Sequence, residues 1–185
     1  MNDILLSILI CTIPERADKL EKLMKILRPQ IPVDGSVEVI IQEEAATKDG
    51  GPTIGTNRNN LLERAAGDYV CFVDDDDLVT HDYIGSIIGA IHDKPDVVGM
   101  KGAYKVGDSD PQTFIHSKQY DHWFEKDGIY YRCPNHLNPV KRELAMRARF
   151  TEKNQGEDYD YSTALYPLLT TEVMIDQVIY HYIKA

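Results

Sequence analysis

The sequence predicts an α/β fold, a mostly parallel sheet flanked by helices with a β-rich second half. Three observations carry this. Over the first hundred residues, strand-like apolar runs alternate three times with helix-like amphipathic segments, an order that joins parallel strands through right-handed crossovers. The first run is apolar almost without a break, as in a strand covered on both faces. From about residue 97 the pattern changes to short β-rich pieces. At 185 residues the chain can bury a core without staples, so one domain spanning 1–185 is expected, in two halves, 1–100 and 101–185.

The elements follow in order. "ILLSILIC" (4–11) reads as a buried strand. Leu20, Leu23, Met24 and Leu27 fall at helical spacing, and "RPQIP" ends that helix at Pro29. "VEVIIQ" (37–42) reads as the second strand, "NLLERAAG" as a helix stopped by Gly67, and "YVCFV" (69–73) as the third strand. Thr80 can then cap a helix whose Ile84, Ile87, Ile88 and Ile91 form an apolar stripe. The second half holds a basic helix, "VKRELAMRARF", the acidic segment "QGEDYDYSTALYP" and a final strand-like "VMIDQVIYHYI".

Composition excludes several classes of function. With 20 basic and 30 acidic side chains the net charge is −10, which disfavours binding to a nucleic-acid backbone. The longest apolar stretch, Ile4 to Ile13, is interrupted by Ser7 and Thr12 and is too short for a transmembrane segment. The three cysteines form no CxxC pair, and Cys11 and Cys71 lie in apolar runs, so a reducing, cytoplasmic setting is expected.

Open parallel sheets bind ligands beyond the carboxyl ends of their strands. Three polar clusters fall there: "TIPER" (12–16), "QEE" (42–44) and the four aspartates Asp74 to Asp77. Strand alternation would send Asp74 and Asp76 one way, Asp75 and Asp77 the other. Their mutual repulsion calls for a divalent cation, which takes hard carboxylate oxygens and leaves positions open for a diphosphate. The competing reading is solvated charge at a helix N-terminus. No GxGxxG follows the first strand and no GxxxxGK[ST] occurs, which weakens dinucleotide and P-loop readings; "DGGPTIG" reads as a flexible loop.

Taken together, "SILICTIPERADKL", "VIIQEE", "IGTNRNNLLERAAGDYVCFVDDDD" and "NPVKRELAMRARFTEKNQGEDYDYSTAL" resemble a family 2 glycosyltransferase of GT-A fold, in the expected order over roughly residues 4–170. The resemblance implies an inverting transferase that uses Mn2+ or Mg2+ and a nucleotide-diphosphate sugar, with a UDP-linked donor expected. The acceptor would be the hydroxyl of a saccharide, lipid or protein. Residues 1–100 would then be the nucleotide-sugar half and 101–185 the acceptor half.

The same resemblance assigns roles. Thr12 would lie by the nucleoside, with Pro14 and Arg16 in the same loop. Gln42, Glu43 and Glu44 stand where the family usually has an Asp pair, so base recognition would rest on Glu43 or Glu44 accepting from a uracil N–H. Arg58 would face the base and diphosphate, or else be a surface helix cation. Asp74 and Asp76 are the outer pair of the DxD, Asp76 being the first choice for the metal and Asp75 lying near ribose or metal. Asp158 would be the general base with Glu157 as its neighbour, unless both are an acidic pair at a helix N-terminus. His136 or His181 could supply a third metal ligand or an acceptor contact, or be structural. Trp123, Tyr130 and Tyr131 could stack on a sugar or belong to the core. Two alternatives stay open: a degenerate sugar-nucleotide binding module and a nucleotidylyltransferase on a related fold.

Overall fold

The computed structural model describes residues 4–47, 51–107 and 109–184. Its elements are β1 (Leu6–Thr12), α1 (Ala17–Leu27), β2 (Val37–Glu43), α2 (Ile54–Arg64), β3 (Tyr69–Phe72), β4 (Leu78–Val79), α3 (Tyr83–Ile91), β5 (Val97–Val106), β6 (Gln112–His116), β7 (Phe124–Lys126), β8 (Ile129–Arg132), β9 (Val140–Lys141), α4 (Arg142–Ala148), α5 (Glu157–Leu165) and β10 (Glu172–Lys184). The main sheet runs β2-β1-β3-β9-β5-β6-β8-β7. β1 is parallel to both β2 and β3, as the alternating pattern requires. The continuation is mixed: β9 is antiparallel to β3 and β5, whereas β10 runs parallel to β5 and antiparallel to β4.

The apolar run of β1 serves two cores. Leu6, Ile8 and Ile10 join Leu23, Leu27, Ile84 and Ile87 under α1 and α3. Leu9 faces the other way and packs with Val70, Phe72, Leu61 and Leu165 under α2 and α5. β3 divides likewise, Tyr69 and Cys71 on one side and Val70 and Phe72 on the other. Successive strand residues point to opposite faces, so a strand covered by helices on both sides needs no polar alternation.

Some boundaries differ from the sequence expectation. α2 ends at Arg64, before Gly67. Gly67 lets two backbones meet instead: a Cβ there would stand 2.7 Å from the Ser7 nitrogen. Thr80 does not cap α3. Asp82 occupies the cap position, with Thr80 Oγ1 donating to its carboxylate at 2.6 Å. Of "DGGPTIG", residues 49 and 50 lie outside the described residues, and Ile54 and Gly55 begin α2 behind a Thr53 cap.

Candidate active site

The carboxyl ends of β1, β2 and β3 open onto a cavity of about 450 Å3 whose lining includes Thr12, Arg16, Glu44, Asp75 and Asp76. A second cavity, of about 510 Å3, is lined by α5 and the β-rich half, with Glu157 and Asp158 in its wall. Arg58, Asp74 and Tyr182 line both. A third cavity, of about 520 Å3, lies at the opposite ends of the strands beside Leu5 and Asp68, away from every predicted site residue.

After Phe72 the chain leaves the sheet in a turn, closed by the Asp77 N–H donating to the Asp74 carbonyl at 3.1 Å. The expected alternation of the four aspartates therefore does not hold, because it requires extended backbone. Asp74, Asp75 and Asp76 all line the first cavity. Protein groups offset part of their repulsion. Asp75 is buried and accepts from Thr12 Oγ1 at 2.7 Å and from Arg16 at 2.8 Å. Asp76, with 26% of its side chain exposed, lies 3.4 Å from both Arg16 and Lys19. Asp77 is buried behind the cavity, where it accepts from the Tyr180 hydroxyl and the Ile183 N–H, each at 2.8 Å. Burial first, and the charge of Asp74 second, push its carboxyl up to about 8.

Arg58 joins the two cavities. It donates to Glu157 Oε1 at 2.8 Å and to Asp74 Oδ1 at 3.1 Å, and its guanidinium lies 5.4 Å from the centre of the Phe150 ring. Its side chain is only 8% exposed, as is that of Glu157, so the surface-cation reading of Arg58 is excluded. Burial would lower the pKa of Arg58, but Asp74 and Glu157 outweigh that and raise it. Burial likewise works against ionisation of Asp74, yet His136 and Arg58 hold its carboxyl well below the usual carboxylate range.

Two glycines deliver α5 to this arginine. Gly156 sits at φ +72° immediately before the helix, a left-handed turn that costs other residues about 1–2 kcal/mol. At Gly55 a Cβ would stand 1.9 Å from the Thr151 carbonyl oxygen, and the Gly55 N–H donates to Lys153 O at 3.2 Å. The 151–154 segment can therefore lie directly on α2, and Glu157 reaches Arg58 while Asp158 lines the second cavity.

The remaining predicted residues separate. Glu44 lines the first cavity, its carbonyl held by Asn57 Nδ2 at 2.9 Å. Pro14 and Glu43 are exposed and line neither cavity. His181 lies between Tyr180, which bonds Asp77, and Tyr182, which lines both cavities; strand alternation turns it to the other face, and it lines neither. His136 stands at the site instead. It is 6% exposed, Nε2 lies 3.6 Å from Asp74 Oδ2, and neither ring nitrogen has a hydrogen-bond partner among the described residues. Cys11 also lines the first cavity, with burial pushing its thiol up to about 12, so it behaves as the small hydrophobe expected.

A family profile for glycosyl transferase family 2 matches residues 7–153. The chain belongs to that family. Among solved structures, this family 2 glycosyltransferase is similar to S. aureus TarS 1–349 in complex with UDP, with a TM-score of 0.75 at 18% identity over 98% of this chain and 61% of that one. For TarS 1–349 with UDP-GlcNAc the values are 0.70, 16%, 98% and 59%. For the mannosyltransferase PcManGT from Pyrobaculum calidifontis, in complex with GDP-Man and Mn2+, they are 0.62, 16%, 95% and 56%. These likenesses establish the GT-A fold, and the chain spans about three fifths of the length of the TarS 1–349 chain. A search of curated proteins found no match. No helix among the described residues is long and apolar enough to cross a membrane.

Proposed function

We propose that this family 2 glycosyltransferase moves a sugar from a nucleotide-diphosphate sugar to an acceptor hydroxyl with inversion. The observation that carries the reading is Arg58, which holds Asp74 of the strand-end cavity and Glu157 of α5 on one buried guanidinium. Donor and acceptor then meet across a shared wall. Glu44 and Thr12 face the nucleoside, and Arg16 and Arg58 the diphosphate. Asp158 accepts the proton of the acceptor hydroxyl as its oxygen attacks the anomeric carbon from the face opposite the diphosphate. The bond from that carbon to the diphosphate oxygen breaks, and the nucleoside diphosphate leaves with inversion. The solved TarS complexes with UDP and UDP-GlcNAc support a uridine donor.

A divalent ion, Mn2+ or Mg2+, is part of the proposal. Among the described residues no group of three or more His, Cys, Asp or Glu side chains is gathered as a metal site. Such an ion needs only one or two carboxylates when substrate phosphates complete its shell. Asp74 and Asp76, both partly exposed on the first cavity, fit that requirement, and His136 stands beside them, its Nε2 3.6 Å from Asp74 Oδ2. Once bound, the ion would offset charge developing on the departing diphosphate. The Mn2+ in the mannosyltransferase complex supports the choice.

Calorimetry of UDP binding, with Mn2+ and then with chelator, tests the reading. Saturable binding that needs the ion and is largely lost in Asp76→Asn is expected. Undiminished affinity under chelator would remove the metal from the proposal, and no binding of any nucleoside diphosphate would remove the donor.

A further inference from the structure

Arg132 ends β8 in the wall of the second cavity. Its guanidinium carbon lies 4.4 Å from the centre of the Trp123 ring. Among the described residues the guanidinium makes no hydrogen bond, and no carboxylate lies within ion-pair distance. Arg16 and Arg58, the other arginines of the two cavities, are both paired with aspartates. Arg132 is half-buried, and burial lowers its pKa, countered first by the charge of Asp158. The Trp123 face offsets part of the charge, but a partly desolvated cation whose N–H groups have no acceptor is costly, and the planar fork of a guanidinium matches a carboxylate or phosphate in two hydrogen bonds.

The surroundings suit a sugar. Tyr104, Tyr130 and Tyr182 line the same cavity, with ring centres 5.6 Å apart for Tyr104 and Tyr130 and 5.3 Å for Tyr104 and Tyr182. Such aromatic walls with polar tips cover the apolar faces of small ligands while bonding their rims. Asp158 lies in the same lining. Arg132 does not line the strand-end cavity, whose arginines are Arg16 and Arg58.

We propose that the acceptor is an anionic saccharide, carrying a phosphate or carboxylate beside the hydroxyl that is glycosylated, and that Arg132 binds this charged group. The word acceptor rests on the glycosyltransferase reading; the anion site does not. A neutral sugar that expelled water from this cavity would leave the guanidinium with no hydrogen-bonded counter-charge and only the more distant Asp158 to offset it, whereas an anionic one would pair it directly and stand next to the base.

Trp123 is the only tryptophan of the chain and touches Arg132, so its emission reports occupancy of the site. The full chain, saturated with UDP and Mn2+, is titrated with methyl glucuronide and glucose 6-phosphate, and in parallel with methyl glucoside and glucose. The expected result is a saturable change for a charged sugar, with affinity about tenfold or more above its neutral match. Arg132→Gln should abolish that preference and Arg132→Lys should keep part of it, while UDP affinity by calorimetry stays within about twofold of wild type. Equal response to charged and neutral sugars, no response to either charged sugar, or a preference that survives Arg132→Gln would each overturn the proposal. A large loss of UDP affinity in Arg132→Gln would also overturn it, assigning the arginine to the donor. Failure of wild-type protein to bind UDP is scored separately and counts against the glycosyltransferase reading, not the anion site.

Discussion

Replacing Arg58 by Met should cost more stability than any surface change, because it strands a buried carboxylate. The guanidinium lies 2.8 Å from Glu157 Oε1 and 3.1 Å from Asp74 Oδ1, with Arg58 and Glu157 side chains each 8% exposed. At an effective dielectric constant near 20, opposite charges about 4 Å apart attract by about 4 kcal/mol, and removing one partner of a buried pair typically costs about 3–5 kcal/mol. Asp74, 29% exposed, regains water and adds less. Met keeps most of the volume, and its sulfur replaces part of the contact with Phe150 and Phe72. The expected loss is therefore about 3–5 kcal/mol, a fall in Tm on the order of 10 °C for a chain of this size. Urea and thermal unfolding at pH 7 measure it. The double variant Arg58→Met with Glu157→Gln removes both charges and should recover more than half of the loss. A single variant within about 1 kcal/mol of wild type, or a double variant no better than the single, would show that Arg58 does not hold Glu157 as a buried ion pair.

Asp158→Asn should lower transfer by about 10²–10⁴-fold with UDP affinity unchanged, since the carboxylate faces the second cavity and, among the described residues, bonds only the Tyr159 N–H at 2.8 Å; near-normal transfer would return it to a helix-terminal acid. Asp77 has a pKa of about 8 in the fold against an ordinary value of 3.8, so the folded state holds a proton that the unfolded state has lost, and stability falls as pH rises through that window. Between pH 7 and 9 the loss is about 1.4 kcal/mol, and Asp77→Asn, which cannot titrate, should gain that much on the wild type in urea midpoints taken with chelator present; a pH-independent difference would sink the assignment. Gly55→Ala puts a methyl 1.9 Å from the Thr151 carbonyl oxygen and should cost about 1–3 kcal/mol or more while loosening Glu157 from Arg58, seen as faster amide exchange at the start of α5; unchanged exchange there would show that the segment is held by other contacts.

Much of the architecture was legible because its causes are local. The apolar runs of β1 and β3, the helical spacing of Leu20 to Leu27 and the acids after Phe72 are patterns within a few residues, and strand ends in a parallel sheet must converge. The gathering of polar groups at one sheet edge was legible for the same reason: Thr12, Arg16, Glu44 and Asp74 to Asp76 each lie at or just beyond a strand end and line one cavity. Partners were not legible. That Arg58 is enclosed between Asp74 and Glu157 depends on a contact 99 residues apart along the chain, and that contact rests on Gly156 and on Gly55, which in sequence reads as part of a flexible loop.

The order of the first three strands and their helices, and the excess of acid beyond β3, follow from the sequence alone, since periodicity and charge are properties of short segments. How that acid is tolerated, and which side chains face it, depends on packing between distant segments. Four aspartates in a row are equivalent on paper. In the fold the turn after Phe72 gives one to Arg58, one to Thr12 and Arg16, one to the solvent edge, and buries the last beneath Tyr180. The choice between His136 and His181 was of the same kind. The pairing of β10 with β4 and β5 sets which of its faces meets the site, and a one-residue difference in a strand reverses the direction of a side chain.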